Sequence, residues 1–245
     1  MSVVVLRSEQ AFSDRLSAFT QAVDIRRADT DEDREAIFRL RYEAYLSEGA
    51  IEPNTGQRFS DRFDETENVW LFGVHFEGAL VSSIRIHVVT AQFPESPTVE
   101  TFADILLPEL KAGRVIVDPS RFVADRVASR ARPEIPYVTA RIAVVAMQYF
   151  SADIGVVAVR NEHRAFYRKV FQFTPVAPPR KYHGLTKPLG LMMARQEEVR
   201  DRVLGAYPFL RSTLAERRHL FGPLADERFG KTGAEPEPEK IPATA

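Results

Sequence analysis

Two apolar segments separated by a helical segment constrain the fold of this chain most strongly. The first spans residues 114–118, and the second, "IGVVAVR" at residues 154–160, has the pattern of a strand covered on both faces. Between them, from Tyr137 onward, apolar residues recur at helical intervals. Strands joined through one helix are parallel neighbours with a right-handed crossover. Because ligands bind at the carboxyl ends of such strands, we expect a site at residues 118–122.

Further segments predict a mixed sheet with helices on its faces. Two apolar runs that meet at Glu77 and Gly78 indicate a hairpin. Thr30 is the expected N-cap of a helix that closes at Gly49, and Asn161 of a later one. Other strands are expected at residues 23–28, 173–179 and 187–194, and other helices at residues 8–22, 99–113 and 195–221, the last broken near residues 205–208. The fold class is α/β (α+β), a mixed central sheet flanked by helices, with extra C-terminal helices.

The predicted organisation is one main domain with an additional segment at each terminus. Residues 1–23 are expected to form an N-terminal helical extension, and residues 24–229 the main domain. Residues 230–245 are rich in proline and charge, which predicts a disordered tail.

Composition narrows the classes of function. The 245 residues carry a formal net charge of −1, so no overall field favours nucleic acid or a membrane surface. The absence of cysteine excludes thiolate nucleophiles, and the scattered histidines predict no metal site. The N-terminal "MSVVVL" is too short for a signal-peptide core, and no apolar run approaches the ~20 residues of a transmembrane span. We therefore expect a cytoplasmic protein.

Charged residues are concentrated after the first central strand. Asp118 and Arg121 lie in "DPSRF", and four more arginines follow: Arg126, Arg130, Arg132 and Arg141. One interpretation is a structural ion-pair network beside a solvated loop. The other interpretation is an active site beside a docking surface. Both interpretations can be true at once.

Five sequence blocks resemble a known family. They are "FRLRYEAYLSEG", "FSDRFDETENVWLFGV", "SSIRI", "FADILLPEL" and "VDPSRFVAD". The same blocks occur in this order in the LuxI-type acyl-homoserine-lactone synthases and in the related FeeM-type N-acyl amino acid synthases. The similarity extends over about residues 24–190. It implies an acyltransferase with the GNAT fold.

Position by position, the resemblance marks nine residues as functional: Arg41, Tyr45, Asp61, Asp64, Arg85, Asp118, Ser120, Arg121 and Phe122. Two positions depart from the lactone synthases, which usually carry glutamate where this chain has Phe59 and Asp118. Those glutamates are associated with use of S-adenosylmethionine, so their replacement favours the amino acid-acylating branch. The segment "HRAFYRKVF" is most simply a packed helix; alternatively, its Tyr167 is similar to a tyrosine that related acetyltransferases place near the leaving thiol.

The acyl donor is predicted from the absence of glycine between Gly113 and Gly155. Backbone N–H groups grip a pyrophosphate only where side chains leave room, as in the glycine-rich loops of CoA-using enzymes. Arginine can instead hold the single phosphate of a phosphopantetheine arm. An acidic acyl carrier protein would dock on a basic patch of Arg126, Arg130 and Arg132. No permanently bound cofactor is expected, because the phosphopantetheine-linked acyl group is a substrate.

The reaction requires an amine to attack a thioester, so a base must remove a proton and fixed donors must stabilise the oxyanion. Four residues are assigned to catalysis: Asp118 as the base, with Arg121, Arg85 and Asp64. Six are assigned to substrate binding: Arg41, Tyr45, Asp61, Ser120, Phe122 and Val123. An arginine would clamp the carboxylate of the acceptor. Main-chain groups near Phe122 and Val123 would pair with the pantetheine amides, because Pro119 predicts a β-bulge.

The predicted function is transfer of a fatty acyl group from acyl carrier protein to the amine of an amino acid or similar acceptor. Two alternatives stay open from sequence: a homoserine-lactone-type signal synthase, and a non-catalytic module that binds acyl carrier protein. Acyl length and the identity of the acceptor do not follow from the sequence.

Overall fold

A central mixed sheet organises the computed structural model, which describes residues 3–229. Its strands are β1 (Val23–Arg27), β2 (Val69–Phe76), β3 (Ala79–Val89), β4 (Ile116–Ala124), β5 (Ile154–Val159), β6 (Thr174–Arg180) and β7 (Leu189–Arg195). They lie in the order β1-β2-β3-β4-β5-β7-β6. β4 and β5 are parallel, and the other neighbouring pairs are antiparallel.

The parallel pair expected from the sequence is confirmed, and the two strands diverge soon after they meet. They pair only at Ile116 with Ile154 and at Val117 with Gly155. Beyond this point β4 continues beside β3, while β5 continues beside β7. The edges of β4 and β5 that face each other are therefore left without a strand partner over most of their length.

The helices that accompany the sheet are α1 (Val3–Ala22), α2 (Asp31–Ser47), α3 (Pro97–Thr101), α4 (Ala103–Lys111), α5 (Arg126–Ala131), α6 (Ile135–Tyr149), α7 (Arg164–Phe171), α8 (Gln196–Ala206) and α9 (Leu214–Phe229). Short 3-10 helices occupy Arg62–Asp64, Asn161–His163 and Pro208–Leu210. Among the residues described, no helix is both long and apolar enough to cross a membrane.

Each face of the sheet packs against a different set of helices. Trp70 and Phe72 of β2 pack in one core cluster with Val138 of α6 and Phe221 of α9. On the opposite face, Leu71 packs with residues of α2, while α4 covers β4 and β5. Because side chains alternate along a strand, neighbouring residues of β3 and β4 face different helices. The site described below depends on this alternation.

Several local predictions are confirmed. Glu77 and Gly78 both have positive φ angles, as the two-residue turn between β2 and β3 requires. The hydroxyl of Thr30 accepts a hydrogen bond from the backbone of Asp33 and caps α2. Gly49 follows that helix with φ +60°. The proline-rich strand β6 lies at the edge of the sheet, as its missing N–H groups require.

Other predictions require correction. The first central strand does not end at Asp118, because β4 continues through "DPSRF" to Ala124. The arginine-rich segment after it is not a loop throughout, since Asp125 caps the short helix α5. The helix expected at residues 99–113 is divided at Phe102 into α3 and α4. Asn161 is not the N-cap of α7, because a 3-10 turn separates the two. Residues 230–245, predicted to be a disordered tail, lie outside the described residues.

Arg141 of α6 is buried and fastens the C-terminal segment to the body of the protein. Its Nε donates to the carbonyl oxygen of Phe209 at 2.6 Å, and its Nη2 donates to the carbonyl oxygen of Arg211 at 2.7 Å. Nη2 also donates to Glu216 of α9 at 2.8 Å. Arg141, one of the four arginines that follow Arg121 in the sequence, therefore has a structural role.

We predict that Arg141→Met destabilises the protein by about 2 to 3 kcal/mol, because two carbonyl groups and a partly buried carboxylate lose a charged donor. Urea unfolding measures the change. The matched control is Arg39→Met, which removes an exposed pair with Glu35 and should cost less than about 0.5 kcal/mol. Equal losses in the two variants would contradict the assignment.

Candidate active site

A β-bulge in β4 turns Arg121 toward the gap between the diverging strands. The register with β3 shifts so that Ile84 lies opposite two residues, Arg121 and Phe122. Arg121 has φ +51°, a left-handed conformation that costs a non-glycine residue about 1 kcal/mol or more. Pro119 had predicted a bulge nearby. Contacts of the Arg121 side chain must hold the bulge in place.

Those contacts belong to a buried cluster of three guanidinium and two carboxylate groups. Arg121 Nη2 donates to Asp61 Oδ2 at 2.6 Å. Arg85 Nη1 bridges the two acids, at 2.6 Å from Asp61 Oδ1 and 3.0 Å from Asp64 Oδ1. Arg41 Nη1 donates to Asp64 Oδ1 at 2.8 Å. The cluster therefore joins α2, β3, β4 and the segment before β2, and it carries one net positive charge.

The two acids are also fixed by their own backbone. The Asp61 side chain accepts from the backbone N–H of Phe63, and Asp64 accepts from the backbone N–H of Asp61, which forms a capping box. Burial opposes ionisation of both acids. The guanidinium groups of Arg85 and Arg121 nevertheless hold the pKa of Asp61 below its ordinary value, and those of Arg41 and Arg85 do the same for the pKa of Asp64. Both are carboxylates at neutral pH.

Asp118 lies on the same face of the sheet but outside the salt-bridge cluster. Burial raises its pKa to about 6, and a hydrogen bond from Thr98 offsets part of that shift. Thr98 Oγ1 donates to Asp118 Oδ1 at 2.8 Å, whereas Oδ2 has no hydrogen-bond partner in the described part of the chain. The neighbouring His87 is neutral, since burial and the nearby Arg85 lower its pKa to about 3. Asp118 is therefore a buried acid that can exchange a proton near neutral pH.

A cleft of about 920 Å³ opens where β4 and β5 diverge. Five of the residues predicted for the site line it: Tyr45, Ser120, Arg121, Phe122 and Val123. Residues of β5 form the opposite wall. The other predicted site residues, Arg41, Asp61, Asp64, Arg85 and Asp118, lie behind this surface. The structure thus divides the predicted set into a cleft wall and a buried layer that supports it.

Of the three arginines predicted to dock a carrier protein, two line the cleft and Arg132 does not. Arg126 and Arg130 are exposed on α5 and line the cleft. Neither forms an ion pair within the described residues. The guanidinium of Arg132 instead lies 5.1 Å from the centre of the Phe76 ring, at the end of β2. A basic patch beside the cleft therefore contains the first two.

A second, apolar cavity of about 70 Å³ lies on the α6 side of the sheet. Ile84 and Val117, which face α6, line it together with residues of α7 and α8. Four residues line both this cavity and the cleft: Pro119, Phe122, Val157 and Tyr167. The two spaces are therefore adjacent across the gap between β4 and β5.

Two residues next to the predicted site were missed by sequence reasoning. Tyr182, from the segment between β6 and β7, lines the cleft and has its hydroxyl 2.8 Å from that of Thr98. Thr98 stands in the first turn of α3, which Ser96 caps. The "SPT" start of a helix is visible in the sequence, but nothing there indicates that it faces Asp118.

Comparison with known proteins gives one family and a set of similar folds. The family described as "N-acyl amino acid synthase FeeM" matches residues 36–195. No curated protein matches the chain. The matched residues 36–195 include the whole charged cluster and both walls of the cleft.

Two solved structures illustrate the similarity. The structure of FeeM, an N-acyl amino acid synthase from uncultured soil microbes, has 18% sequence identity and a TM-score of 0.63, and the match covers 75% of this chain and 96% of that one. The CoA-dependent acyl-homoserine lactone synthase BjaI, solved with MTA, has 15% identity and a TM-score of 0.52, with 76% and 89% covered. At these identities the matches concern the fold, and they confirm the GNAT-like mixed sheet.

The raised pKa of Asp118 predicts a specific dependence of stability on pH. Between its ordinary value of 3.8 and about 6, the unfolded chain has lost this proton and the folded chain retains it. The folded state then binds more protons, so its stability falls as pH rises through this window. We expect the free energy of unfolding of the wild type, measured relative to Asp118→Asn, to fall by about 2 to 3 kcal/mol between pH 4 and pH 7.

Urea unfolding of both proteins at a series of pH values tests this expectation. Asp61 and Asp64 titrate at lower pH and are present in both proteins, so their contribution cancels. A difference between the two proteins that stays constant with pH would show that Asp118 is ionised as readily in the folded state as in the unfolded state.

Proposed function

This chain belongs to the FeeM family of N-acyl amino acid synthases, and from that premise we propose that it transfers a fatty acyl group from acyl carrier protein to the amine of an amino acid. The chain is an N-acyltransferase by its family. The observation that carries the finer proposal is the meeting of a charged cleft and an apolar cavity at the gap between β4 and β5.

The acyl chain is assigned to the apolar cavity. The thioester would lie at the gap, next to Pro119 and Phe122, and the chain would pass between the strands toward α6. Apolar walls favour burial of methylene groups at roughly 0.8 kcal/mol each. Because the edge of β4 beyond Val117 has no partner on the β5 side, its main-chain groups can pair with the pantetheine amides in the manner of an added strand.

The carboxylate of the acceptor is assigned to Arg121. Its Nη1 is buried, has no hydrogen-bond partner in the described residues, and belongs to a side chain that lines the cleft. Its guanidinium lies 4.6 Å from the centre of the Phe59 ring. A glutamate at position 59 would offer Arg121 a second internal carboxylate beside Asp61, whereas phenylalanine leaves Nη1 without a partner among the described residues. The net positive charge of the cluster supports the same assignment.

The region where a CoA pyrophosphate would be held supports a different donor. Tyr137 and Val138 at the start of α6 both donate their backbone N–H to the Glu134 carbonyl oxygen, and Pro136 has none to donate. Asp125 also lines the cleft, and its carboxylate caps α5. Because the backbone N–H groups at the start of α6 are already hydrogen-bonded and Asp125 is negatively charged, this region disfavours the binding of a diphosphate.

The exposed face of α5 supports docking of an acidic carrier protein. Arg126 and Arg130 lie on it, and the Val127 side chain between them is 77% exposed. An exposed apolar side chain between two cations that form no ion pair with any residue of 3–229 suits a partner that presents carboxylates around an apolar contact. Electrostatic attraction of this kind increases the rate of association and weakens with salt.

In the proposed reaction the acceptor nitrogen attacks the thioester carbon, the carbon–sulfur bond breaks, and the thiol leaves on the carrier protein. Arg121 orients the acceptor, and the free edge of β4 orients the donor. A base must accept the proton of the nitrogen, and Asp118 is the proposed acceptor of that proton. Burial raises the pKa of Tyr167, so its hydroxyl stays protonated beside the cleft and can donate to the departing sulfur.

Product analysis tests the proposed function. We expect purified protein, given acyl carrier protein loaded with fatty acyl chains and a mixture of amino acids, to form N-acyl amino acids that mass spectrometry detects. Acyl-CoA in place of the loaded carrier should give at least ten-fold less product. Acyl lactones formed from S-adenosylmethionine would support the alternative signal synthase. Failure to form any acyl product while the carrier still binds would contradict the proposed transfer.

The docking surface generates a separate prediction. Reversing both charges in Arg126→Glu/Arg130→Glu should lower kcat/KM for the acyl carrier protein at least ten-fold at low salt, because attraction becomes repulsion. Steady-state kinetics at several salt concentrations measure the effect. The loss should shrink as salt increases.

The matched control is Arg168→Glu/Lys169→Glu on α7, where both side chains are exposed and neither lines the cleft. The two double variants change the net charge equally. If both lower kcat/KM to the same extent, general charge rather than a docking face accounts for the loss.

A further inference from the structure

Three side chains form a continuous hydrogen-bonded row from the cleft to the buried acid. The hydroxyl of Tyr182 lies 2.8 Å from Thr98 Oγ1, which lies 2.8 Å from Asp118 Oδ1. Tyr182 lines the cleft, whereas Asp118 is fully buried and does not. Asp118 therefore has no direct contact with a substrate in the cleft, but it is connected to one through two hydroxyl groups.

The donors in this row have one consistent order when Asp118 is ionised. A carboxylate only accepts, so the single hydroxyl proton of Thr98 points to Asp118. Thr98 must then accept the phenolic proton of Tyr182. The oxygen of Tyr182 keeps lone pairs that are free to accept a proton from the cleft.

The charged neighbours of Asp118 do not provide another partner for it. Arg85 of β3 donates to Asp61, Asp64 and Ser120 through Nε and Nη1, and within the described residues it forms no hydrogen bond with Asp118. His87, also on β3 and opposite Asp118 in the register, directs its Nε2 toward the Phe63 carbonyl oxygen. A purely structural buried carboxylate is usually paired with a cation. Asp118 instead receives a hydroxyl donor that leads to the cleft.

We propose that Tyr182 and Thr98 relay the proton of the acceptor amine to Asp118, an inference that rests on the proposed acyltransferase function. The acceptor reacts as the neutral amine. As its nitrogen attacks the thioester, one N–H proton passes to Tyr182, the Tyr182 proton passes to Thr98, and the Thr98 proton passes to Asp118. Both hydroxyl groups are unchanged at the end, and Asp118 is protonated. The proton then returns along the same row to solvent in the emptied cleft, which restores the carboxylate.

Two substitutions interrupt the row at different points. Tyr182→Phe and Thr98→Val should each lower kcat for N-acyl amino acid formation at least 100-fold, the usual contribution of a positioned base, while KM changes less than three-fold. The wild-type rate should rise with pH up to a plateau above about pH 6, the pKa of the buried Asp118. This rise should be absent from the residual activity of both variants. Thr98→Ser keeps the hydroxyl and should retain most of the activity and the pH dependence.

Matched controls separate the relay from general effects of removing a buried hydroxyl. Tyr42→Phe removes a tyrosine hydroxyl that contacts Asn54, and Thr139→Val removes a buried hydroxyl that donates to Ser82. Neither residue lines the cleft. Both control variants should change kcat less than three-fold. Circular dichroism establishes that each variant is folded.

The outcomes distinguish the relay from the function on which it rests. A wild type that forms N-acyl amino acids, with Tyr182→Phe and Thr98→Val equally active, would overturn the relay alone. A Thr98→Ser variant as inactive as Thr98→Val would also overturn it, because the defect would then follow packing rather than the hydroxyl. A wild type that forms no acylated product would contradict the proposed function, and the relay with it.

Discussion

The salt bridges of Arg85 and Arg121 to Asp61 are the interactions on which the rest of the site depends. Asp61 receives Arg85 on one oxygen and Arg121 on the other, so it ties β3 to the bulge of β4. Arg121 also donates to the carbonyl oxygen of His183, in the segment that carries Tyr182. One carboxylate thereby fixes the strained backbone of Arg121, and the same arginine positions the segment that closes the cleft.

A buried charged cluster of this kind contributes little net stability, because the desolvation of the charges offsets much of their attraction. Its use here is better explained by geometry. The bulge directs Arg121 into the cleft and bends β4, while β5 follows β7 and separates from it. The sheet therefore has an opening at its centre, with charged residues on the α2 side and an apolar cavity on the α6 side. The charged acceptor and the apolar acyl chain of the proposed reaction match these two environments in chemical character.

Much of this arrangement could be predicted from the sequence, because it follows from local patterns. The apolar runs of β4 and β5 with a helix between them determine the parallel pair, and Glu77-Gly78 determines the hairpin. The grouping of Arg41, Asp61 and Asp64 around Arg85 followed from the resemblance of short blocks to a family. Local patterns do not report the register between strands. A bulge was expected from Pro119, but the continuation of β4 through that bulge to Ala124 was not predicted.

The remaining differences between the sequence-based predictions and the structure also arise from tertiary packing, which local sequence patterns do not report. Arg132 is close in sequence to Arg126 and Arg130, but the turn after α5 directs it to Phe76. Thr98 and Tyr182 are distant in sequence and are brought together by the packing of α3 against the segment after β6. Asp118 was assigned as the base from the sequence, but nothing in the sequence indicates that it lies behind the hydroxyl groups of Thr98 and Tyr182.

The central claim is that the substrates meet across the opening between β4 and β5. A crystal structure of the protein with a bound N-acyl amino acid, such as an N-dodecanoyl derivative, tests it most directly. The account predicts the carboxylate at Arg121 Nη1, the amide between the two strands, and the acyl chain in the cavity beneath α6. An acyl chain bound elsewhere, with the gap filled by side chains, would contradict it.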